Sequence, residues 1–331
     1  MDKTKKIEQI IKDSIFLDTE IAQPTALITI QGKIILNENS FITLSGLPKS
    51  RKTTIQQFIL ASCITGQSYY GIKANLEKTD KFILIDTEQS NYDFYRQNKF
   101  LKKLIKRNKM PENFSAYLFR EYDPEVTLQA IYQIVEIEKP RILFIDNLTE
   151  LCNDPNNIIE AKKVIQLLKK MSAKFNIGIV CLLHLGKSNN FTLGNLGSYA
   201  DRAAQSVLRV TIEKETDITT LECSMLRSDA HFMPISIMFD KSSGSYVEVD
   251  QPPDKEIKKS KAFSMAEFTE LELRSRIDIL FDMQSIYTYG SLVENLKKVF
   301  GVGDTKIKQV VIPYITHKKL IKIENKTYLK N

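Results

Sequence analysis

Gly46, Lys52 and Thr53 fall within one octapeptide, Gly46-Leu47-Pro48-Lys49-Ser50-Arg51-Lys52-Thr53, whose spacing suits a loop wrapped around a nucleotide β-phosphate. In the pattern G-x-x-x-x-G-K-[ST], loop N–H groups surround the phosphate and the Lys reaches the β/γ-phosphates. The hydroxyl holds Mg²⁺. The nucleotide-binding residues expected on this basis are Gly46, Pro48, Lys49, Ser50, Arg51, Lys52, Thr53 and Thr54. Arg51 stands where the pattern has its second Gly. If that position needs φ > 0, a side chain costs about 1–2 kcal/mol there, and the guanidinium would add positive charge beside the phosphates. The competing reading of Pro-Lys-Ser-Arg-Lys is a solvated, lysine-rich turn.

Carboxylates follow at the ends of two apolar runs. Arg141-Ile142-Leu143-Phe144-Ile145-Asp146-Asn147 places Asp146 where P-loop NTPases hold Mg²⁺ together with the loop hydroxyl, here Thr53. Lys81-Phe82-Ile83-Leu84-Ile85-Asp86-Thr87-Glu88 ends in two acids. If this strand neighbours the loop strand, its carboxyl edge faces the γ-phosphate, and Glu88 is the candidate that polarises the attacking water. The alternative is that Asp86 and Glu88 only cap a turn.

The elements that must position these groups are legible as periodicity. Phe41-Ile42-Thr43-Leu44 reads as a buried strand entering the loop, and residues 54–61 have the apolar spacing of a helix leaving it. Strand, loop and helix together supply the helix N-terminus that phosphate binding uses. Residues 26–30 and 33–36 flank Gln31-Gly32 as a hairpin, and Ile177 to Leu183 forms a strand closed by His184. The stretch from Gly186 to Ala200 is long for a connection, which marks it as functional. Residues 219–225 and 234–239 alternate like a strand pair.

In Gly46–Thr54, Ile83–Glu88, Ile142–Asp146, Val180–Lys187, Leu196–Asp201 and Leu226–Asp229, the chain resembles the RecA-like ATPases. Within them it is similar to the RepA-like and DnaB-like hexameric replicative helicase group, of the type carried on mobile elements. The resemblance spans roughly residues 25–245 in the family's order. It implies an α/β fold, a RecA-like P-loop NTPase core with a predominantly parallel central sheet. It implies ATP and Mg²⁺, a homo-oligomeric ring, with a hexamer expected, and single-stranded DNA in its channel. His184 would sense the γ-phosphate, Lys187 would touch DNA in the channel, and Arg227 would reach a neighbouring subunit's nucleotide. Arg209 and Arg202 are alternatives for that last role, and an exposed hairpin arginine is the plain reading of Arg227. The chain departs from the family at Arg51 and in having one histidine, at 184, where relatives often have a pair.

Length and composition fit this picture. At 331 residues the chain exceeds the usual single core. No apolar run approaches the ~20 residues needed to cross a bilayer, and no apolar stretch follows the basic N-terminus, so a cytoplasmic protein without a membrane partner is expected. The cysteines at 63, 152, 181 and 223 show no C-x-x-C spacing, and the three histidines show no ligand spacing, so reduced thiols and no zinc are expected. The expected organisation is an amphipathic N-terminal helix within residues 1–24, a core over 25–250, a charged, proline-bearing linker over 251–263 and a second domain over 264–331.

In that last region, helices are expected from Leu271 to Phe281, from Tyr289 to Phe300 with Ser291 as N-cap, and from Lys306 to Thr316. Two short strands then flank Glu324-Asn325-Lys326. Three helices and a hairpin suggest a winged-helix domain. From 290 to 331 there are nine lysines against three acids, and Lys306, Lys308, Lys318 and Lys319 are the expected DNA contacts, with duplex as the possible target. Winged helices also dock proteins, and that alternative stands. The +7 net charge permits nucleic-acid binding. The reading reached is a ring-forming Mg-ATP-dependent ATPase, a possible DNA helicase, in replication or mobilisation of a plasmid or mobile element, with other replication or mobilisation proteins as partners. The alternative is an ATP-gated DNA-binding regulator with little turnover, and a kinase is a distant third.

Overall fold

The computed structural model describes residues 7–8, 20–186, 192, 194–249, 265, 268–324 and 326–331. The expected linker 251–263, Lys187 and all of the N-terminal amphipathic stretch but Ile7 and Glu8 lie outside the described residues. The chain divides into two compact units, Met1–Gln251 and Pro252–Asn331.

In the first unit β1 (Ala26–Ile30) and β2 (Lys33–Asn37) pair antiparallel around Gln31-Gly32, both with positive φ, as a two-residue hairpin requires. They form a small sheet with β4 (Ile72–Ala74), separate from the main one. The main sheet contains β3 (Phe41–Gly46), β5 (Phe82–Asp86), β6 (Phe114–Leu118), β7 (Ile142–Asp146), β8 (Gly178–His184), β9 (Ser206–Glu213), β10 (Ile218–Leu226), β11 (Ile235–Asp240) and β12 (Ser245–Glu248). Its order is β12-β11-β10-β9-β3-β8-β7-β5-β6. The run from β9 to β6 is parallel and the other three strands add antiparallel, so the fold is α/β with a large, mostly parallel central sheet.

Every residue of β3, β5 and β7 is buried, because helices cover both faces of the sheet. Alternate residues serve opposite cores. Leu84, Phe144 and Leu182 pack with Phe58 and Ile59 of α1 (Lys52–Thr65) and Leu101 of α2 (Asn91–Leu104). Ile83, Ile145 and Cys181 pack with Ile131 of α3 (Pro124–Glu138), Leu168 of α4 (Ile158–Phe175) and Leu196 of α5 (Gly194–Ala203). Two expectations change here. β5 is not beside β3, since β8 and β7 intervene. Residues 194–203 are helical rather than part of a long loop, and Gly197 lets α5 approach Thr192, whose Cβ would lie 2.4 Å from an added methyl.

The second unit has its own core of Leu273, Leu280, Tyr287, Leu296, Val311 and Ile315. Its elements are α6 (Glu270–Met283), β13 (Ile286–Thr288), α7 (Tyr289–Phe300), a helical stretch over 304–317, β14 (Ile321–Glu324) and β15 (Thr327–Lys330). The sheet order is β13-β15-β14, all antiparallel. α6 begins with a reciprocal capping box between Thr269 and Glu272. The cap of α7 is Thr288, which accepts from the Ser291 N–H, so Ser291 sits inside the first turn rather than at its cap. The stretch over 304–317 widens to π-helix at Ile307–Val311, just before Pro313, which has no N–H to give a regular ladder.

Candidate nucleotide site

The register brings Gly46 of β3 beside His184 of β8, and Asp86 of β5 beside Asp146 of β7, all at the carboxyl edge of the parallel strands. Ligands collect at that edge in open α/β sheets. The chain leaves β3 through Gly46, where a Cβ would lie 2.4 Å from both Ser50 Oγ and the Val210 carbonyl, so only glycine fits. Lys49 and Arg51 then take left-handed φ values of 65° and 69°. Arg51 is the N-cap of α1 but its side chain caps nothing, which leaves the first-turn N–H groups without a side-chain acceptor. Such a helix start suits an anion.

Lys52 is buried, with Nζ donating to the carbonyls of Gly46 at 3.0 Å and Leu47 at 3.1 Å and standing 3.1 Å from His184 Nδ1. Burial lowers its pKa, against the pull of Asp146 and Glu88. Thr53 Oγ1 donates to Asp146 Oδ2 at 3.1 Å. Burial pushes Asp146 up to about 7, with adjacent Asp86 adding to the rise. Asp86 is itself pushed up to about 6 by burial. Its Oδ1 accepts from the N–H groups of Glu88 and Gln89, while its buried Oδ2 has no partner.

Among the described residues, no group of three or more His, Cys, Asp or Glu is arranged to hold a metal ion. Mg²⁺ commonly needs only one or two carboxylates beside phosphates and water. Two neighbouring carboxyls with raised pKa values, one carrying an orphaned oxygen, and a hydroxyl on the other fit that donor set.

Glu88 is exposed and reaches back into the site. Its Oε2 lies 3.3 Å from His184 Nε2 and accepts from Asn147 Nδ2 at 3.4 Å. The His184 contact, first among several, holds Glu88 below the usual carboxylate range. His184 therefore touches Lys52 with one ring nitrogen and Glu88 with the other. Although β5 is remote from β3, Glu88 arrives because β7 and β8 carry Asn147 and His184 to meet it.

The other expected residues are distributed as follows. Pro48 and Lys49 are exposed on the loop, Thr54 is half-buried, and buried Ser50 has an unpartnered Oγ. Arg51 turns to the β9–β10 turn. Its guanidinium donates to both carboxylate oxygens of Asp217 at 2.6 Å, to the Asp217 carbonyl at 2.8 Å and to Thr219 Oγ1 at 3.1 Å, and it lies 5.8 Å from the Tyr246 ring. Arg227 follows β10, whose Leu226 pairs with Ser206 at the start of β9, whereas Gly46 pairs with Val210. It thus lies toward the opposite edge of the sheet, with its guanidinium on the Arg202 carbonyl. Within one chain it is not at the loop. Arg209 is 3.7 Å from Asp201, and Arg202 stacks on Tyr199 at 4.9 Å. Lys306, Lys308, Lys318 and Lys319 are exposed in the second unit, where Lys308 also pairs with Asp304 at 2.8 Å.

Sequence reasoning passes over Asn147 and Thr87. Thr87 Oγ1 both donates to the Asn147 carbonyl at 3.0 Å and accepts from the Asn147 N–H at 2.9 Å, tying the β5 and β7 ends together. Asn147 follows Asp146 directly, and that adjacency is its only signal. Also unforeseen is a cavity of about 270 Å³ against the first turns of α1, reached by Thr53, Thr54 and Gln57.

No protein-family profile matches the chain, and no curated protein matches it. Among solved structures, the chain is similar to a KaiC-like protein from the hyperthermophilic archaeon Pyrococcus horikoshii. Identity is 16%, the match covers 67% of this chain and 93% of that one, and the TM-score is 0.46.

Proposed function

We propose that this chain is a Mg-ATP-dependent ATPase that forms a ring and couples hydrolysis to DNA handling, in the manner of RepA-like and DnaB-like helicases of plasmids or mobile elements. The observation that carries the reading is the junction of Lys52, Thr53, Asp146, Glu88 and His184 at the end of β3. A phosphate loop supplies backbone donors and the Lys52 charge for the β/γ-phosphates. Mg²⁺, when bound, neutralises charge developing on the transferred phosphoryl group, and Thr53 and Asp146 are the residues to hold it. Glu88 orients and polarises the attacking water. His184, bridging Lys52 and Glu88, is placed to report loss of the γ-phosphate to the chain that follows β8.

The lysines of the second unit support DNA contact through phosphates, in a domain read as a winged helix. Arg227 as a finger needs a second copy of the chain, which the ring provides. A second reading, an ATP-gated DNA-binding regulator with little turnover, is favoured by the commitment of Arg51 to Asp217. Steady-state ATPase with and without single-stranded DNA, and particle mass with and without ATP, test both. DNA-stimulated turnover and an ATP-dependent hexamer are expected. ATP binding with no turnover favours the regulator, and no ATP binding overturns both.

A further inference from the structure

The side chain of Glu88 is long and exposed, so what aims its carboxylate decides whether it can serve as a base. Two groups meet it, His184 Nε2 at 3.3 Å and Asn147 Nδ2 at 3.4 Å, and both meet the same oxygen, Oε2. Among the described residues Oε1 has no partner. The two contacts are held in different ways. An ammonium only donates, so Lys52 Nζ, 3.1 Å from His184 Nδ1, makes that nitrogen the acceptor and leaves the ring proton on Nε2. The His184 contact thus depends on Lys52. Asn147 is held without it. Asn147 is 1% exposed, and its Oδ1 accepts from the Thr149 N–H at 3.1 Å and from Thr149 Oγ1 at 3.0 Å. A flipped amide would turn its NH₂ against the Thr149 N–H, so only Nδ2 can point to Glu88. Thr87, one residue before Glu88, bonds both main-chain groups of Asn147, and Asp86 Oδ1 accepts from the Glu88 N–H. The main chains on both sides of the Asn147–Glu88 contact are therefore fixed.

We infer that Asn147 is a positioning residue for hydrolysis: it holds Oε2 of Glu88 so that Oε1 is presented to the attacking water. The inference rests on the ATPase function proposed above, in which Lys52 is claimed by the β/γ-phosphates. His184 Nδ1 then loses the donor that sets its tautomer. The Thr149 bonds to Asn147 are untouched, so Asn147 is the contact that persists through the reaction. In the step it serves, the water oxygen bonds to the γ-phosphorus and the water proton passes to Oε1. The bond from phosphorus to the β–γ bridging oxygen breaks, and its electron pair leaves with ADP. Asn147 acts only through Glu88. Aiming matters because a misplacement of about 1 Å in such a step can cost about 10²-fold in rate.

The test is steady-state ATPase of the full chain with Mg²⁺, each rate divided by the amount of a fluorescent, non-hydrolysable ATP analogue bound. Asn147→Ala is expected to lower kcat by about 10- to 100-fold. It should leave KM and analogue affinity within about two-fold of the parent, the pattern of an interaction that matters only in the transition state. Asn147→Leu, which keeps most of the volume and loses the donor, should behave the same way, with the melting temperature reporting on the fold of both. Thr149→Val keeps the main-chain donor to Asn147 and removes the hydroxyl one. It should lower kcat by a smaller factor, and it serves if neither variant at 147 folds. Added to Glu88→Gln, Asn147→Ala should slow the single turnover of prebound ATP no further, since the base it aims is gone. An unchanged kcat in Asn147→Ala overturns the inference and leaves the nucleotide site standing. So does a joint fall of kcat, analogue affinity and melting temperature, or a further drop of the same size on Glu88→Gln. A parent chain that binds the analogue without turnover overturns the hydrolytic function instead, and one that does not bind it overturns the site itself.

Discussion

In the first unit three of the charges at the candidate site are withdrawn from water. Lys52 and Asp146 are buried, Asp86 is fully so, and each has its pKa moved by that burial. In the second unit Lys306, Lys308, Lys318 and Lys319 stand in solvent. A charge in a low-dielectric site acts strongly and alone, whereas exposed charges are screened and act as a sum. The two units should therefore answer mutation differently: single changes decide the first, and only sets of changes decide the second.

The largest effect should come from Lys52→Ala, which removes the charge proposed to face the β/γ-phosphates. Turnover is expected to fall by about 10²–10³-fold or more, with ATP affinity falling as well. Glu88→Gln should keep ATP binding and lose turnover, since it retains the shape and surrenders the charge. ATP affinity and rate unchanged in Lys52→Ala would erase the contrast between the units.

Asp146 sharpens the same point through pH. Its folded pKa near 7, and that of Asp86 near 6, lie above the ordinary Asp value of 3.8. The folded protein thus keeps protons that the unfolded chain has released. Stability from these groups is greatest below the unfolded pKa and is lost as pH rises through about 4 to about 7. In nucleotide-free protein, the melting temperature should drop between about pH 5 and about pH 8, and Asp146→Asn should drop less. Mg²⁺ with a non-hydrolysable ATP analogue should offset the loss in the parent chain but not in Asp146→Asn. Parallel pH profiles for the two proteins would show that burial at Asp146 is not what sets the slope.

The second unit should behave as a sum. Replacing Lys306, Lys308, Lys318 and Lys319 together with Ala should weaken DNA binding by the full chain similarly for all sequences. It should flatten the slope of log affinity against log salt by about 3 to 4, near 0.9 for each phosphate that is no longer neutralised. ATPase without DNA should be unchanged. One lysine that accounts for the whole effect would mean a specific contact rather than an electrostatic face.

What the sequence makes legible divides along the same physical line. Contiguous signals survive: the apolar runs of β3, β5, β7 and β8, the acids that end two of them, and the loop between β3 and α1. Contacts made by strand order do not. Nothing in residues 81–88 says that two strands separate them from β3, nor that Glu88 still meets His184 across that gap. Gln57 and Gln97 sit in ordinary helical stretches, and only packing shows their amides unpartnered. Ser291 lies three residues beyond the true cap, because Thr288 both ends β13 and caps α7, and a residue with two duties shows only one in the pattern.

Arg51 is the clearest case, and it supports the smallest prediction. Its sequence position suggests a phosphate contact, but its partner Asp217 lies 166 residues away. Arg51→Gly removes a left-handed side-chain strain of about 1–2 kcal/mol. It also removes charge-assisted hydrogen bonds of about 1.5–3 kcal/mol, to be discounted because the Asp217 side chain is 59% exposed. The terms nearly cancel, so urea denaturation should place Arg51→Gly within about 1 kcal/mol of the parent chain. Asp217→Ala loses the two bonds to the carboxylate, leaves those to the main-chain carbonyl and Thr219 Oγ1, and keeps the strain, so it should be the more destabilised of the two. The double variant should match Arg51→Gly alone, because once the guanidinium is gone Asp217 has nothing left to hold. If Arg51→Gly also weakens ATP binding while Asp217→Ala does not, the guanidinium swings to the phosphates when nucleotide arrives. If both weaken it equally, the brace to the β9–β10 turn is what keeps the loop in its binding shape.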